Sequence, residues 1–468
     1  MRSGADIPVP RTTLRVVYDI ATGPSTTIGV VTAYWCERAW LSGGVTERVR
    51  VETDAAGFVT AFQVGKQPEP PDVRLPGIVV PGFANAHSHA FHRALRGRTH
   101  VDGGTFWSWR ERMYAAAARL DPDSYRRLAT AVYAEMALAG VSCVGEFHYV
   151  HHQTDGTPYD DPNAMGEAVR DAAKAAGIRL TLLDTCYLSG GFGKPLSAAQ
   201  LRFGDGDAAR WAERVASLRL DATTRVGAAI HSVRAVPAEQ IPTVVAASSG
   251  RPLHVHVSEQ PAENEECLDA YAATPTQLLH DHGALSPATT AVHATHLMPD
   301  DVALLGGQRT TVCVCPTTER DLADGIGPAR ALYDAGSPLA LGSDQHAVID
   351  MLEEARALEM HERLTTHQRG RFAPGDLLTA LTSAGHASLG WPEAGRIETG
   401  AQCDLVAVRL DTPRTAGIDP TQLVLAATAA DIDTVVIGGR PVVRGGRHVL
   451  GDVGELMNDA VDEVWSGL

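Results

Sequence analysis

Hydrophobic positions follow two rhythms along the chain, one in its middle and another at its ends. From Gly77 onward a unit repeats: a short apolar run, a polar cluster, then a helical stretch. The runs are "GIVVPGFANAH" (77–87), "GVSCVGEFHY" (140–149), "IRLTLLDTCY" (178–187) and "RVGAAIHSVR" (225–234), followed by "RPLHVHVSEQ" (251–260), "TTAVHATHL" (289–297), "TTVCVCPTTE" (310–319) and "SPLALGSDQH" (337–346). Each is rich in β-branched or small apolar residues, as parallel strands buried on both faces are. Between them lie helical patterns. "DSYRRLATAVYAEMALAG" (123–140) ends on a glycine stop, and "DMLEEARALEMHERL" (350–364) sets Met351, Ala355 and Leu358 on one face. Eight strand-then-helix units predict an α/β fold, a (β/α)8 TIM-like barrel over residues 81–394.

Residues 32–66 and about 396–449 instead read as short alternating strands punctuated by glycine. They predict one small β-sandwich domain assembled from both ends of the chain, residues 32–80 plus 395–450. Residues 1–31 have little periodicity and are read as an N-terminal extension. Residues 451–468 read as a C-terminal tail, helical in pattern.

Barrel enzymes carry their chemistry at the C-terminal ends of the strands. The first run ends in His87-Ser88-His89, whose two imidazoles point the same way on an extended chain. The fifth ends in His254, His256 and Glu259; His256 lies nearer the mouth and is read as a ligand, His254 as a hydrogen-bonded wall residue. The sixth carries His293 and His296, of which one faces the centre; His293 is the choice. The eighth ends in Asp344. A polar residue satisfied locally explains any one of these, but not four strand ends at once. Three imidazoles with one carboxylate (His87, His89, His256 and Asp344) suit Zn2+, with Fe2+ or Mn2+ as alternatives, one ion per subunit. Such an ion brings the pKa of its water from 15.7 to roughly 7, so that hydroxide is available to attack. Glu259 is placed to move a proton, Asp344 to orient the water, and His293 to stabilise developing charge.

Composition narrows the class. Of 468 residues, 44% are hydrophobic and 21% charged, the balance of a globular protein. A formal net charge of −16 argues against nucleic acid or an anionic membrane as partner. Seven cysteines without a C-x-x-C pair imply neither a disulfide framework nor a zinc knuckle. With no signal-peptide pattern and no run of membrane-spanning length, a reduced, cytoplasmic setting is expected. A homodimer is the expected assembly. If the substrate is a small anion, local arginines must overcome the global field. Arg110 and Arg234 lie near the barrel mouth, and each can grip a carboxylate through two N–H groups. His148, His151 and His152, close to Glu146, are read as structural hydrogen bonding rather than a second metal site, and Cys313 and Cys315 as core and wall.

This pattern of strand-end ligands inside a β-flanked barrel resembles the amidohydrolase superfamily. One branch of that superfamily holds two metals bridged by a carboxylated lysine on the fourth strand. Here that strand, "RVGAAIHSVRAV", has no lysine, so the one-metal, deaminase-like branch fits better. "HSHAFHRALRG", "FWSWRERMY" (106–114), "GEFHYVHH" (145–152), "HSVRAV" (231–236), "HVHVSEQ", "VHATHL", "CPTTE" and "SDQH" together resemble the formimidoylglutamate deiminase family, over about residues 33–445. The resemblance implies metal binding by His87, His89, His256 and Asp344, hydrolysis assisted by Glu259 and His293, and substrate contacts from His92, Arg110, Tyr149, His231 and Arg234. It implies hydrolysis of N-formimino-L-glutamate to N-formyl-L-glutamate and ammonia, a step of histidine degradation. His92 departs from the glutamine common in that family. Two other readings stand beside it: a deaminase of a heterocycle such as guanine, and a barrel that serves as a non-catalytic scaffold.

Overall fold

The structure, a computed structural model, describes residues 32–99 and 106–466. The extension expected at 1–31 lies outside the described residues. Four strands open the chain: β1 (Thr32–Leu41), β2 (Gly44–Thr53), β3 (Val59–Val64) and β4 (Val73–Pro81). Eight follow with helices between them: β5 (Phe83–Ser88), β6 (Val141–His148), β7 (Arg179–Cys186), β8 (Thr224–Ile230), β9 (Leu253–Val257), β10 (Thr289–His293), β11 (Thr311–Val314) and β12 (Leu339–Leu341). Four close it: β13 (Leu405–Val408), β14 (Ile432–Ile437), β15 (Arg440–Arg444) and β16 (Arg447–His448).

Strands β5 to β12 pair in sequence order, each parallel to the next, and form the expected barrel. Every residue of β5, β6 and β7 is buried, which is why these runs are apolar without alternation. A parallel bridge between Ser88 and Asp344 joins first strand to last. There the Asp344 N–H donates to the His87 carbonyl at 3.0 Å and the His89 N–H to the Asp344 carbonyl at 3.1 Å. The Asn85 amide and Ser343 hydroxyl, 2.7 Å apart, continue this seam downward.

The remaining strands form one sheet in the order β16-β15-β14-β13-β4-β1-β2-β3. Its two arms come from the two chain ends and meet where β4 pairs antiparallel with β13. Alternation assigns the faces. Ile78, Val80, Val406 and Val408 pack into the main core, while Val79, Leu405 and Ala407 join Tyr34, Val51 and Val436 in a separate core. A buried ion pair, Arg179 with Asp404, ties the sheet to β7.

One run divides differently from its sequence pattern. Residues 77–87 read as a single strand, yet β4 ends at Pro81 in the flanking sheet and β5 begins at Phe83 in the barrel. Gly82 is the pivot: a Cβ there would lie 2.5 Å from the Ser142 hydroxyl and 2.7 Å from the Asp404 Cβ. Both elements are apolar, so hydrophobicity alone cannot separate them.

Helix signals act as their chemistry requires. Asp121 caps the helix Pro122–Leu138 through the Ser124 N–H at 2.8 Å, and Gly140 follows its end at φ +85. Asp350 caps Met351–Thr366, whose Met351, Ala355 and Leu358 are all buried.

Candidate active site

The barrel's C-terminal rim gathers the strand-end residues. His87 and His89 follow one another on β5 and its exit, with Ser88 turned away between them. The Ser88 hydroxyl donates to Glu146 at 2.8 Å, and Glu146 also accepts the Ala90 N–H at 2.6 Å. This fully buried carboxyl thus fixes the chain on both sides of His89. Burial pushes it up to about 7, and these hydrogen bonds oppose the shift.

Four donor atoms converge. His87 Nε2 lies 3.1 Å from His256 Nε2 and 3.3 Å from Asp344 Oδ1. His89 Nε2 lies 3.3 Å from the same Asp344 oxygen. The opposite nitrogens of two rings are committed: His89 Nδ1 donates to the Phe147 carbonyl at 2.9 Å, and His256 Nδ1 to the His231 carbonyl at 2.8 Å. A carbonyl only accepts, so both Nε2 atoms present lone pairs inward. Burial, reinforced by the neighbouring imidazoles, holds His87 and His256 well below the usual histidine value, so both rings are neutral. Inward lone pairs on neutral rings beside an ionised carboxylate repel one another unless a cation lies between them. Tetrahedral Zn2+ with bonds of 2.0–2.1 Å separates its donors by about 3.3 Å. The observed spacings match that, and the residues fit a divalent ion.

His293, at the end of β10, stands beside this centre. Its Nε2 lies 3.8 Å from Glu259 and 3.7 Å from Asp344, and its Nδ1 lies 3.4 Å from Glu319. Burial alone would lower its pKa, but Glu259, Glu319 and Asp344 together raise it well above the usual value. Burial pushes Glu259 upward, against the pull of His293 and Arg234. His296 turns away to the Asp324 carbonyl at 2.7 Å, and His254 lies deeper, bonded to the Ser388 carbonyl at 3.1 Å.

Backbone strain concentrates on this rim. Of ten described non-glycine residues with positive φ, five are Ser258, His293, Ala294, Asp344 and His346, all just past or ending barrel strands. Such conformations cost about 1–3 kcal/mol each and persist where surrounding contacts hold them.

Every residue given a catalytic, metal or substrate role in the sequence, except His87, lines one cavity of about 600 Å³; His87 is fully buried behind it. Arg110, on the helix Phe106–Ala117, donates from Nε to the Tyr114 hydroxyl at 2.6 Å. His92 pairs with the Tyr149 hydroxyl at 2.9 Å. Arg234 reaches the same space from the loop after β8. A larger groove of about 1,710 Å³, beside Trp40 and Gly375, is lined by no histidine and carries none of this chemistry.

Sequence reasoning passed over Glu319, Tyr187 and Glu263. The first two end the seventh and third runs, so the strand-end rule would have found them. The third lies four residues beyond Glu259, in the first turn of the next helix. For the histidines of residues 148–152, Glu146 is the acid nearby in sequence, yet the acids that meet them in space are Asp184 and Asp205. His152 bonds Asp205 at 3.0 Å, and His148, His151 and Asp184 cluster tightly enough to suggest an ion site. Arg214 already holds that place. Its five N–H groups reach Asp184, Asp205 and Asn163 in five hydrogen bonds of 2.8–3.1 Å. The reading of these histidines as structural agrees with that arrangement. Cys313 and Cys315 pack with Ala86, Val292 and Ala340 inside the barrel.

Known proteins resemble this chain over most of its length. The family model described as "Amidohydrolase family" matches residues 78–442. A formimidoylglutamate deiminase of Pseudomonas aeruginosa is 37% identical over 437 residues, covering 89% of this chain and 96% of that protein. An 8-oxoguanine deaminase of the same species is 26% identical over 427 residues, covering 86% and 93%. Among solved structures, an amidohydrolase from Brucella melitensis superposes with a TM-score of 0.87 at 31% identity, over 93% of this chain and 100% of that one. No described helix is long and apolar enough to cross a membrane.

Proposed function

The chain belongs to the amidohydrolase family, and from that premise we propose that it is a metal-dependent deiminase hydrolysing N-formimino-L-glutamate to N-formyl-L-glutamate and ammonia. The observation that carries this reading is one cavity holding both a hydrolytic centre and two guanidinium groups, Arg110 and Arg234. The 37% identity to a formimidoylglutamate deiminase supports it. A flat purine needs no such pair of cations, whereas a dicarboxylate presents two anionic ends.

His87, His89, His256 and Asp344 would hold the ion, and zinc is the ion we propose for three imidazoles and a carboxylate. When bound, it supplies Lewis acidity that makes water nucleophilic near neutral pH. The protein's own groups do the rest. Arg110 and Arg234 bind the substrate carboxylates, which orients the formimino carbon toward the centre. Tyr149, His92 and His231 close the wall around it and exclude solvent. Glu259 takes the proton from the attacking water and delivers it to the departing nitrogen. His293, held as an imidazolium by three carboxylates, offers its Nε2 proton to charge developing between Glu259 and Asp344. The C–O bond forms, the C–N bond to the imino nitrogen breaks, and ammonia leaves.

The test is ammonia release by purified protein of known metal content, with N-formimino-L-glutamate, N-formimino-L-aspartate, guanine and 8-oxoguanine compared side by side. Turnover of the glutamate derivative with one equivalent of metal per chain is expected. Turnover of the purines alone would transfer the assignment to the heterocycle class.

A further inference from the structure

We propose that Glu263 is a positioning residue that fixes the Arg234 guanidinium for a substrate carboxylate and thereby sets the preference for a dicarboxylate. The inference rests on the deiminase reading above. Glu263 lies in the first turn of the helix Pro261–Tyr271 and is 1% exposed. No side chain hydrogen-bonds its carboxyl oxygens, and the Ser258 N–H is the backbone donor turned to them. Its nearest cation is Arg234, whose Nε is 3.5 Å from Oε2, buried, and itself without a hydrogen bond.

A carboxyl group buried with so little hydrogen bonding is costly unless a cation stands beside it. Burial pushes Glu263 up to about 7, with Arg234 pulling the other way. Among the groups acting on Arg234, Glu263 is the strongest attractor and Glu259 the next. Arg234 thus shares its cavity with Glu259, the proton-handling carboxylate, and pairs with a second carboxylate that does not line that cavity.

The arrangement has a geometric consequence. A guanidinium can grip a carboxylate through Nε with one Nη, or through both Nη atoms. With Nε turned to Glu263, the Nη pair is the edge left for the cavity. Glu263 also draws Arg234 away from Glu259, keeping that carboxylate available for proton transfer. Glu263 touches neither substrate nor ion; it acts through Arg234.

Glu263→Gln keeps the shape and removes the charge. For N-formimino-L-glutamate we expect KM to rise about tenfold or more, with kcat within about threefold and metal content unchanged. In an Arg234→Gln background the same change should cost less than about twofold, because its target is gone. Glu263→Asp, read the same way, serves if the glutamine variant does not fold. Kinetics like those of the unchanged chain, an equal loss with and without Arg234, or a fall in kcat accompanied by metal loss would each overturn the inference. Calorimetric binding of glutarate to the same four proteins reads the coupling without turnover. If the unchanged chain does not hydrolyse N-formimino-L-glutamate, the deiminase reading fails on its own, and glutarate binding still decides the role of Glu263.

Discussion

Two buried clusters of histidine and aspartate lie in this barrel, and they differ in one respect that decides their roles. At the rim, His87, His89, His256 and Asp344 crowd donor atoms together at 3.1–3.3 Å with no guanidinium bonded among them. Beside β7, His148, His151 and Asp184 are similarly close, but Arg214 is bonded to both Asp184 and Asp205. The Trp211 indole donates to Asp184 as well, at 3.0 Å. One cluster has a carboxylate facing imidazole lone pairs; in the other a guanidinium neutralises and hydrogen-bonds the carboxylates. A list of ligand-type residues cannot tell them apart, whereas an account of charges and hydrogens can.

The largest expected effect breaks the first cluster. His256→Ala should lower kcat/KM by about a thousandfold or more and release the metal, read by elemental analysis of the same sample. Retained metal with retained activity would remove His256 from the centre. The second cluster should fail differently. Arg214→Met leaves Asp184 and Asp205 buried without their partner, and we expect a loss of about 3–5 kcal/mol in urea unfolding, with the rim's metal still bound. A stable Arg214→Met protein that takes up a second equivalent of metal at His148, His151 and Asp184 would erase the distinction.

A smaller effect follows from pH. The folded-state pKa values of His87 and His256 are lowered by burial, so between those values and the ordinary 6.5 the unfolded chain binds protons that the folded one does not. Stability from these rings is therefore present above pH 6.5 and falls as pH drops below it. Protons and metal also compete for the same nitrogens. The gap in Tm between metal-loaded and chelated protein should narrow from pH 7.5 to pH 5, a gap of constant size being the contrary result. Asp184 in the Arg214 cluster is itself held below its usual value, although burial opposes the shift: Arg214 and His151 stabilise its charge. Its contribution is lost only at lower pH, as the folded-state value is crossed.

Much of this contrast was open to sequence reasoning on one side and closed on the other. The barrel and the rim were legible because a strand's direction fixes where its last residue points; His87, Asp344 and His293 needed no knowledge of tertiary packing. The split at Gly82 was not legible, because two consecutive apolar strands in different sheets carry one continuous signal. Nor was the Arg214 cluster, since Arg214, Asp184, Asp205 and Asn163 meet only when two helices, a loop and β7 pack together. Arg234 was found by its place near a strand end, while Glu263, which supports it, was hidden in a helix whose charged residues resemble any exposed acidic turn.

The seam between β5 and β12 bears on how the chain comes together during synthesis. Ser88 and His346, 258 residues apart, hydrogen-bond across it at 3.2 Å. A ribosome extends a chain at about 5–20 residues per second, and β5 emerges long before its last neighbour. Through that interval the nascent barrel has an unpaired margin, with His87 and His89 exposed along it and Asp344 not yet made. Closing the barrel and assembling the proposed ligand set therefore need the same pairing of first strand with last, and a cation bound there would tie the two together.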